Sequence, residues 1–271
     1  MQPASIALFE GNLLLKALRE TDRALLLPHL DASICRKGDT LFEAGAEVTR
    51  ITFPCDHTVI TLLIAMMDGG SAETATIGRE GAVGGVVSNG RVPASTHAVA
   101  QIGGPILRMD AVRLQEAKRR SPALRDLFVR YSDCLLAQVL QSVACNALHP
   151  IEQRCLRWLL TLQDRLGTDV LPVTHELLAA MLGVQRTYLT RILRLLQEQG
   201  QIKVGRGRIT ILDRAEMESA ACECHGRIRE HFETVLGAVY GTDGLVAVDP
   251  PDPIEGAVEP DPLHTVRKAR R

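Results

Sequence analysis

Seven Lys or Arg stand against three Asp or Glu between Thr174 and Arg214, a local formal charge of +4 in a chain whose total is only −1. Cations concentrated in this way suit a polyanionic partner. Their spacing indicates how they would meet it. Arg186, Thr187 and Arg191 fall off the apolar stripe of a helical repeat formed by Leu189, Ile192, Leu193 and Leu196, so they face outward. An outward arginine can bridge O6 and N7 of guanine, which gives Arg186 and Arg191 a chemistry for reading base edges. Arg206 and Arg208 sit at the turn Gly205-Arg206-Gly207 with Lys203 beside them, a placement suited to phosphate contacts. Thr174 and Gln185, at the starts of two helices, are read as caps or further phosphate-side contacts. Tyr188 is divided between stacking and core support.

The soft ligands say less. Cys35, Cys55, Cys134, Cys145, Cys155, Cys222 and Cys224 are an odd, scattered set, unlike a secreted disulfide framework. Cys222 and Cys224 with His225, and Cys145 with His149 four residues on, are the tightest groupings. Neither spacing completes a ligand set by itself, so reduced thiols and no metal are expected. Asp, Glu, His and Cys form no compact acid–base pair or activated nucleophile along the chain, and no catalytic residue is assigned. GREGAVGG at 78–85 lacks the Lys-Ser/Thr ending and the strand-to-helix context of a triphosphate loop.

The elements that must position the cations are legible. Thr174 can cap a first helix, with Glu176 in its first turn and Leu177, Leu178, Met181 and Leu182 at helical spacing. Gly183 can take the left-handed conformation that stops it. Arg186 opens the second helix and Gly200 ends it. Ile202, Val204, Ile209 and Ile211 then alternate as two strands with one packed face. The segment reads as a winged helix-turn-helix, the arrangement that presents one helix to the DNA major groove. The alternative is a ligand-binding or protein-interaction module whose helix pair never touches DNA, with Arg186 and Arg191 buried against another domain.

From Ile34 to about Met109 the chain changes to short apolar runs broken by glycine, such as LFEAG, TVITLLIAMM and TATIG. This spacing predicts an antiparallel barrel or sandwich, since no segment is periodic enough for a crossover helix. Ser121 and Pro122 then start a long helix. Leu124, Phe128, Tyr131, Leu135 and Val139 recur along it at spacings of three or four. That stripe either packs on its own barrel or forms the seam of a parallel dimer, and the dimer is favoured because symmetric readers engage two half-sites. Ile228, Phe232, Val235 and Val239 predict an added helix over 226–240. Gly241 to Leu263 then holds five Pro and six acidic residues before a basic end, read as a mobile tail.

Several phrases in order resemble the Crp/Fnr family of bacterial transcription regulators: RKGDTLFEAG at 36–45, TIGREGAVG at 76–84, CNALHPIEQRCLRWLL at 145–160, VTHELLAAMLGVQRTYLTRIL at 173–193 and ACEC at 221–224. The resemblance implies an N-terminal jelly-roll sensor like a cyclic-nucleotide-binding domain, a long dimerisation helix and a C-terminal winged reader. It also implies homodimeric binding to a partly palindromic promoter. By the same resemblance, Arg186, Thr187 and Arg191 occupy base-approaching positions. Thr187 stands where prominent members have glutamate, so their target sequence does not transfer. Gly85 stands where nucleotide-binding members have glutamate, and Ala94 where they have the phosphate-binding arginine. Cyclic-nucleotide binding is therefore disfavoured, unless Arg91 substitutes for the missing charge. The N-terminal cysteine cluster of oxygen-sensing members is absent.

The fold class expected is α+β, divided as a sensor-like jelly roll (1–120), a dimerisation helix (121–145), a winged helix-turn-helix (146–225) and an added helix with an acidic Pro-rich tail (226–271). At 271 residues the chain is long enough for two cores. No apolar run approaches the roughly 20 residues of a membrane span, and Met1 to Leu8 lacks a signal peptide's basic start. The expected partners are double-stranded promoter DNA, a second copy of the chain and RNA polymerase, in the cytoplasm and away from membranes. No cofactor is expected and the effector is unassigned.

Overall fold

Glycine-broken apolar runs fold here as antiparallel strands. The computed structural model describes residues 2–67, 71–86, 92–241 and 244–247. It begins with β1 (Gln2–Pro3) and three short helices, α1 (Ile6–Glu10), α2 (Leu13–Lys16) and α3 (Glu20–Leu26). Then come β2 (Asp31–Cys35), β3 (Thr40–Phe42), β4 (Arg50–Pro54), β5 (Val59–Ala65), β6 (Ser71–Ile77), β7 (His97–Ile102) and β8 (Gly104–Asp110). One sheet runs β1-β2-β8-β4 and the other β3-β7-β5-β6. Ile60, Ile77, Ala98 and Ala100 of the second sheet pack with Cys35 and Ile106 of the first. The two sheets thus close over one apolar layer, as a jelly-roll sandwich requires.

α4 (Ala111–Arg120) leads into α5 (Pro122–Leu148). Ser121 starts α5 by accepting from the Leu124 N–H at 3.1 Å, with Pro122 in the first turn, where its missing N–H costs nothing. Leu124, Phe128 and Tyr131 are buried in the chain's own core, so these three are core residues and not part of an exposed dimer seam. The cause is local packing. Phe128 meets Phe53 edge-on, with ring centroids 6.3 Å apart, and Tyr131 donates to the Ala82 carbonyl at 2.9 Å. Gly81 makes room for that ring, since a Cβ there would stand 2.6 Å from a Tyr131 ring carbon. Leu135 and Val139 are half-buried, whereas Leu136, Leu140 and Val143 are exposed along one face.

The second half comprises α6 (Ile151–Leu166), β9 (Val170–Leu171), α7 (His175–Leu182), α8 (Arg186–Glu198), β10 (Ile202–Gly205), β11 (Arg208–Ile211), α9 (Arg214–Ala220) and α10 (Cys224–Leu236). A hairpin of β12 (Ala238–Gly241) and β13 (Gly244–Ala247) follows. Gly237, at φ 67°, stops α10 short of the expected 240, and Val239 falls in β12 instead. α10 runs back along α5, with Gln141 donating to Cys224 Sγ at 3.0 Å, His231 3.0 Å from Asp133, and Arg130 donating to the Val235 carbonyl at 3.3 Å. The acidic tail beyond 247 lies outside the described residues.

Buried polar contacts dock α6 on the sandwich. Arg165 donates through Nε to Glu80 Oε1 at 2.7 Å and through Nη2 to Gln138 Oε1 at 3.2 Å. Gln138 in turn donates to the Thr76 carbonyl at 3.0 Å, and the Trp158 indole N–H donates to Glu73 at 2.8 Å. Charges this deep persist only when paired and hydrogen-bonded. No helix among the described residues is long and apolar enough to cross a membrane.

Candidate nucleic-acid interface

The Thr174 hydroxyl accepts from the Leu177 N–H at 3.2 Å and starts α7. Gly183 ends it at φ 67° with nothing within 4 Å of its missing side chain, so glycine is needed there for conformation alone. Arg154 of α6 donates to the Leu182 carbonyl at 3.0 Å, satisfying one acceptor that every helix end leaves open. Leu178 and Ala179 pack with Leu189, Ile192, Leu193 and Leu196. That burial turns the opposite face of α8 to solvent.

Arg186, Thr187, Arg191 and Arg194 lie exposed on that face. Arg186 and Arg191 are thus open, contrary to the interaction-module alternative. Arg186 pairs with Glu176 at 2.7 Å, both well exposed, a contact worth no more than about 1 kcal/mol. Arg191 has no ion-pair partner among the described residues. Gln185, the residue before α8, is exposed and makes no capping bond, leaving the first-turn amides of α8 open to an anion. Thr174 is half-buried with its hydroxyl engaged in the cap. Tyr188 donates to Glu152 at 3.2 Å and so props α8 against α6. In the wing, Gly207 at φ 69° closes the β10–β11 hairpin, leaving Lys203, Arg206 and Arg208 exposed. The Val204 N–H donates to Gln197 Oε1 at 2.9 Å and ties the wing to α8.

A brace that sequence spacing did not reveal holds α9 and α10 to α6. Asp164 lies 2.8 Å from both Arg214 and His225. Burial works against its charge, but the hydrogen bond and charge of His225, with Arg214 and Arg229, outweigh it and hold the carboxyl below the usual range.

Between sandwich and long helix lies a cavity of about 450 Å³, bounded by residues such as Val83, Gly85, Ala94, Ser95, Leu135 and Val139. None of its described lining residues is charged. Arg91, the one candidate substitute for a phosphate-binding cation, lies outside the described residues.

The cysteines divide into two kinds. Burial pushes Cys55, Cys134 and Cys155 each up to about 12, as for inert packing thiols. Cys145, His149, Cys222 and Cys224 instead gather with one ligand atom each, all within 4.8 Å of one another. The hydrogen bond from Cys222, with Arg157, His149 and Cys224, outweighs burial and holds the Cys145 thiol below its ordinary value. Spacing along the chain leaves these as separate pairs, and the fold brings the two pairs together. The signal was present as two pairs, Cys145/His149 and Cys222/Cys224, but 77 positions separate Cys145 from Cys222, and spacing alone does not join them.

Residues 153–220 match the family described as the Crp-like helix-turn-helix domain. Solved structures share the fold over most of the chain. FixK2 from Bradyrhizobium japonicum is 14% identical with a TM-score of 0.63, over 71% of this chain and 98% of that one. A transcriptional regulator of the CRP family from Thermus thermophilus, TTHB099, is 17% identical with a TM-score of 0.59, over 70% and 96%. The c-di-GMP responsive global regulator CLP from Xanthomonas campestris is 15% identical with a TM-score of 0.57, over 72% and 100%. No curated protein sequence matches the chain.

Proposed function

We propose that this chain, with a Crp-like helix-turn-helix domain at 153–220 carried on a fold shared with solved regulators of the Crp/Fnr family, is a transcriptional regulator of that family and works as a cytoplasmic homodimer whose two α8 helices read a partly palindromic promoter site. The observation that carries this reading is the open cationic face of α8, with Arg186, Thr187 and Arg191 side by side and the wing cations beyond. Arg191 and Arg186 read guanine edges in the major groove, Arg186 exchanging Glu176 for the base. Thr187 contacts a neighbouring base edge. Gln185, the first-turn amides of α8, Arg206 and Arg208 hold phosphates and fix the register. Thr174 contributes from the cap of α7. RNA polymerase is the further partner of a regulator bound at a promoter.

Arg191→Ala is expected to lose about 1–3 kcal/mol of discrimination between the preferred site and single-base variants. Arg206→Ala is expected to weaken all probes alike and to flatten the salt dependence. Titration of matched and mismatched duplexes at two salt concentrations separates the two roles. An equal loss on every probe for Arg191→Ala would contradict base reading.

Cyclic-nucleotide binding in the sensor half stays disfavoured on this reading, because a cyclic phosphate in the cavity would meet no cation among its described lining residues. Leu135, Leu136 and Val139 line the cavity from α5, so a ligand there would press on the same helix that carries the proposed seam. Saturating cAMP or cGMP is expected to leave DNA affinity unchanged in the same titrations. A tenfold or greater tightening, roughly 1.4 kcal/mol of coupling, would establish cyclic-nucleotide control and overturn this expectation.

A further inference from the structure

We propose that Cys145, His149, Cys222 and Cys224 form a tetrahedral zinc site that clamps the junction of α5 and α6 to the start of α10. The four come from two short segments. Cys145 lies in the last turn of α5 and His149 caps its end, while Cys222 and Cys224 flank the entry to α10. The three thiols are almost wholly buried. With Zn–S bonds of about 2.3 Å and Zn–N bonds of about 2.0 Å at tetrahedral angles, two sulfurs stand about 3.8 Å apart, and sulfur and nitrogen about 3.5 Å. Here Cys145 Sγ and Cys222 Sγ are 3.6 Å apart, and Cys224 Sγ and His149 Nδ1 are 3.4 Å apart. All four ligand atoms lie within 4.8 Å of one another, which suits a single ion, because in an iron–sulfur cluster the ligands are divided among two or more irons and the full set spreads wider.

The surroundings fit the same assignment. His149 turns Nδ1 to the sulfurs and Nε2 to Glu223, 3.3 Å away, the carboxylate–histidine arrangement that orients a ligating imidazole. Gln141 Nε2 donates to Cys224 Sγ at 3.0 Å, a bond a thiolate accepts well. Three thiolates and one Zn²⁺ leave a net charge of −1, and Arg154 and Arg157 act on these sulfurs as nearby positive charges. Binding releases the thiol protons and changes no oxidation state. The clamp fastens α10 beside the point where the long helix passes into α6.

The test uses the full-length, untagged protein purified under reducing conditions without chelator. Elemental analysis is expected to find one zinc per chain, and removing it should speed amide exchange over 141–149 and 222–228. Cys145→Ser and Cys222→Ser should lose the metal, Cys35→Ser should keep it, and Glu223→Gln should weaken binding by about tenfold. Should the serine variants fail to fold, wild-type apoprotein titrated with Co²⁺ provides the second measurement. One equivalent should produce the intense visible bands of a tetrahedral thiolate site. Apoprotein that takes up no Co²⁺, iron with inorganic sulfide in place of zinc, a Cys145–Cys222 disulfide persisting in reductant, or serine variants with full zinc would each overturn the proposal.

Discussion

Leu140→Glu is expected to leave the protein monomeric at micromolar concentration and to lower its affinity for a palindromic site by about 10²–10⁴-fold, the avidity that a second linked reader contributes. Leu136, Leu140 and Val143 are 55%, 61% and 63% exposed and, at spacings of four and three, share one face of α5. The neighbouring Leu124, Phe128 and Tyr131 are already buried in the chain's own core, so the exposed set is what remains to meet a second copy. A glutamate at Leu140 would place two carboxylates near the twofold axis, where burial strips their water and each repels the other. Leu140 does not line the cavity, which separates this variant from an effector defect. Ile34→Glu, on an exposed apolar residue of β2, should remain dimeric. Sedimentation and DNA titration at constant salt give the result. A dimeric Leu140→Glu, or a monomeric parent that binds the palindrome at full strength, would sink the seam.

Arg165→Met should destabilise the fold by about 3–5 kcal/mol, because it leaves the Glu80 carboxylate buried without its cation. Both side chains of this pair are 4% exposed or less. Such a loss is a large part of the roughly 5–15 kcal/mol typical of a native protein. Removing the second charge as well, in Arg165→Met/Glu80→Gln, should recover part of it, since the orphaned charge dominates the cost. Denaturant unfolding of the two variants and the parent measures the cycle. A single-variant loss below about 1 kcal/mol would show that water or rearrangement compensates the pair. The pair also bears on communication between the halves. Arg165 belongs to α6 and Glu80 to the loop after β6, so their contact fastens the reader to the sandwich independently of the α5–α6 junction.

Local periodicity and end signals sufficed for the helix-turn-helix. Thr174 caps α7, Gly183 turns the chain, and Leu189, Ile192, Leu193 and Leu196 bury one side of α8, all within a few residues of what they organise. The wing followed from the alternation of Ile202, Val204, Ile209 and Ile211 for the same reason, and the sandwich from short apolar runs between glycines. The start of α5 was legible in Ser121 and Pro122.

What covers each face was decided only in three dimensions. The stripe on α5 was visible, but its division into a part packed on Phe53 and Ala82 and a part left open depends on how the sandwich sits against the helix. Arg165 and Glu80 lie 85 positions apart, and the two halves of the cysteine–histidine cluster are similarly remote. Helical and strand periods specify which residues share a side over a few turns. They carry no record of which distant segment closes over that side, so the open face of α5, the buried ion pair and the cysteine–histidine grouping emerge only from the tertiary packing.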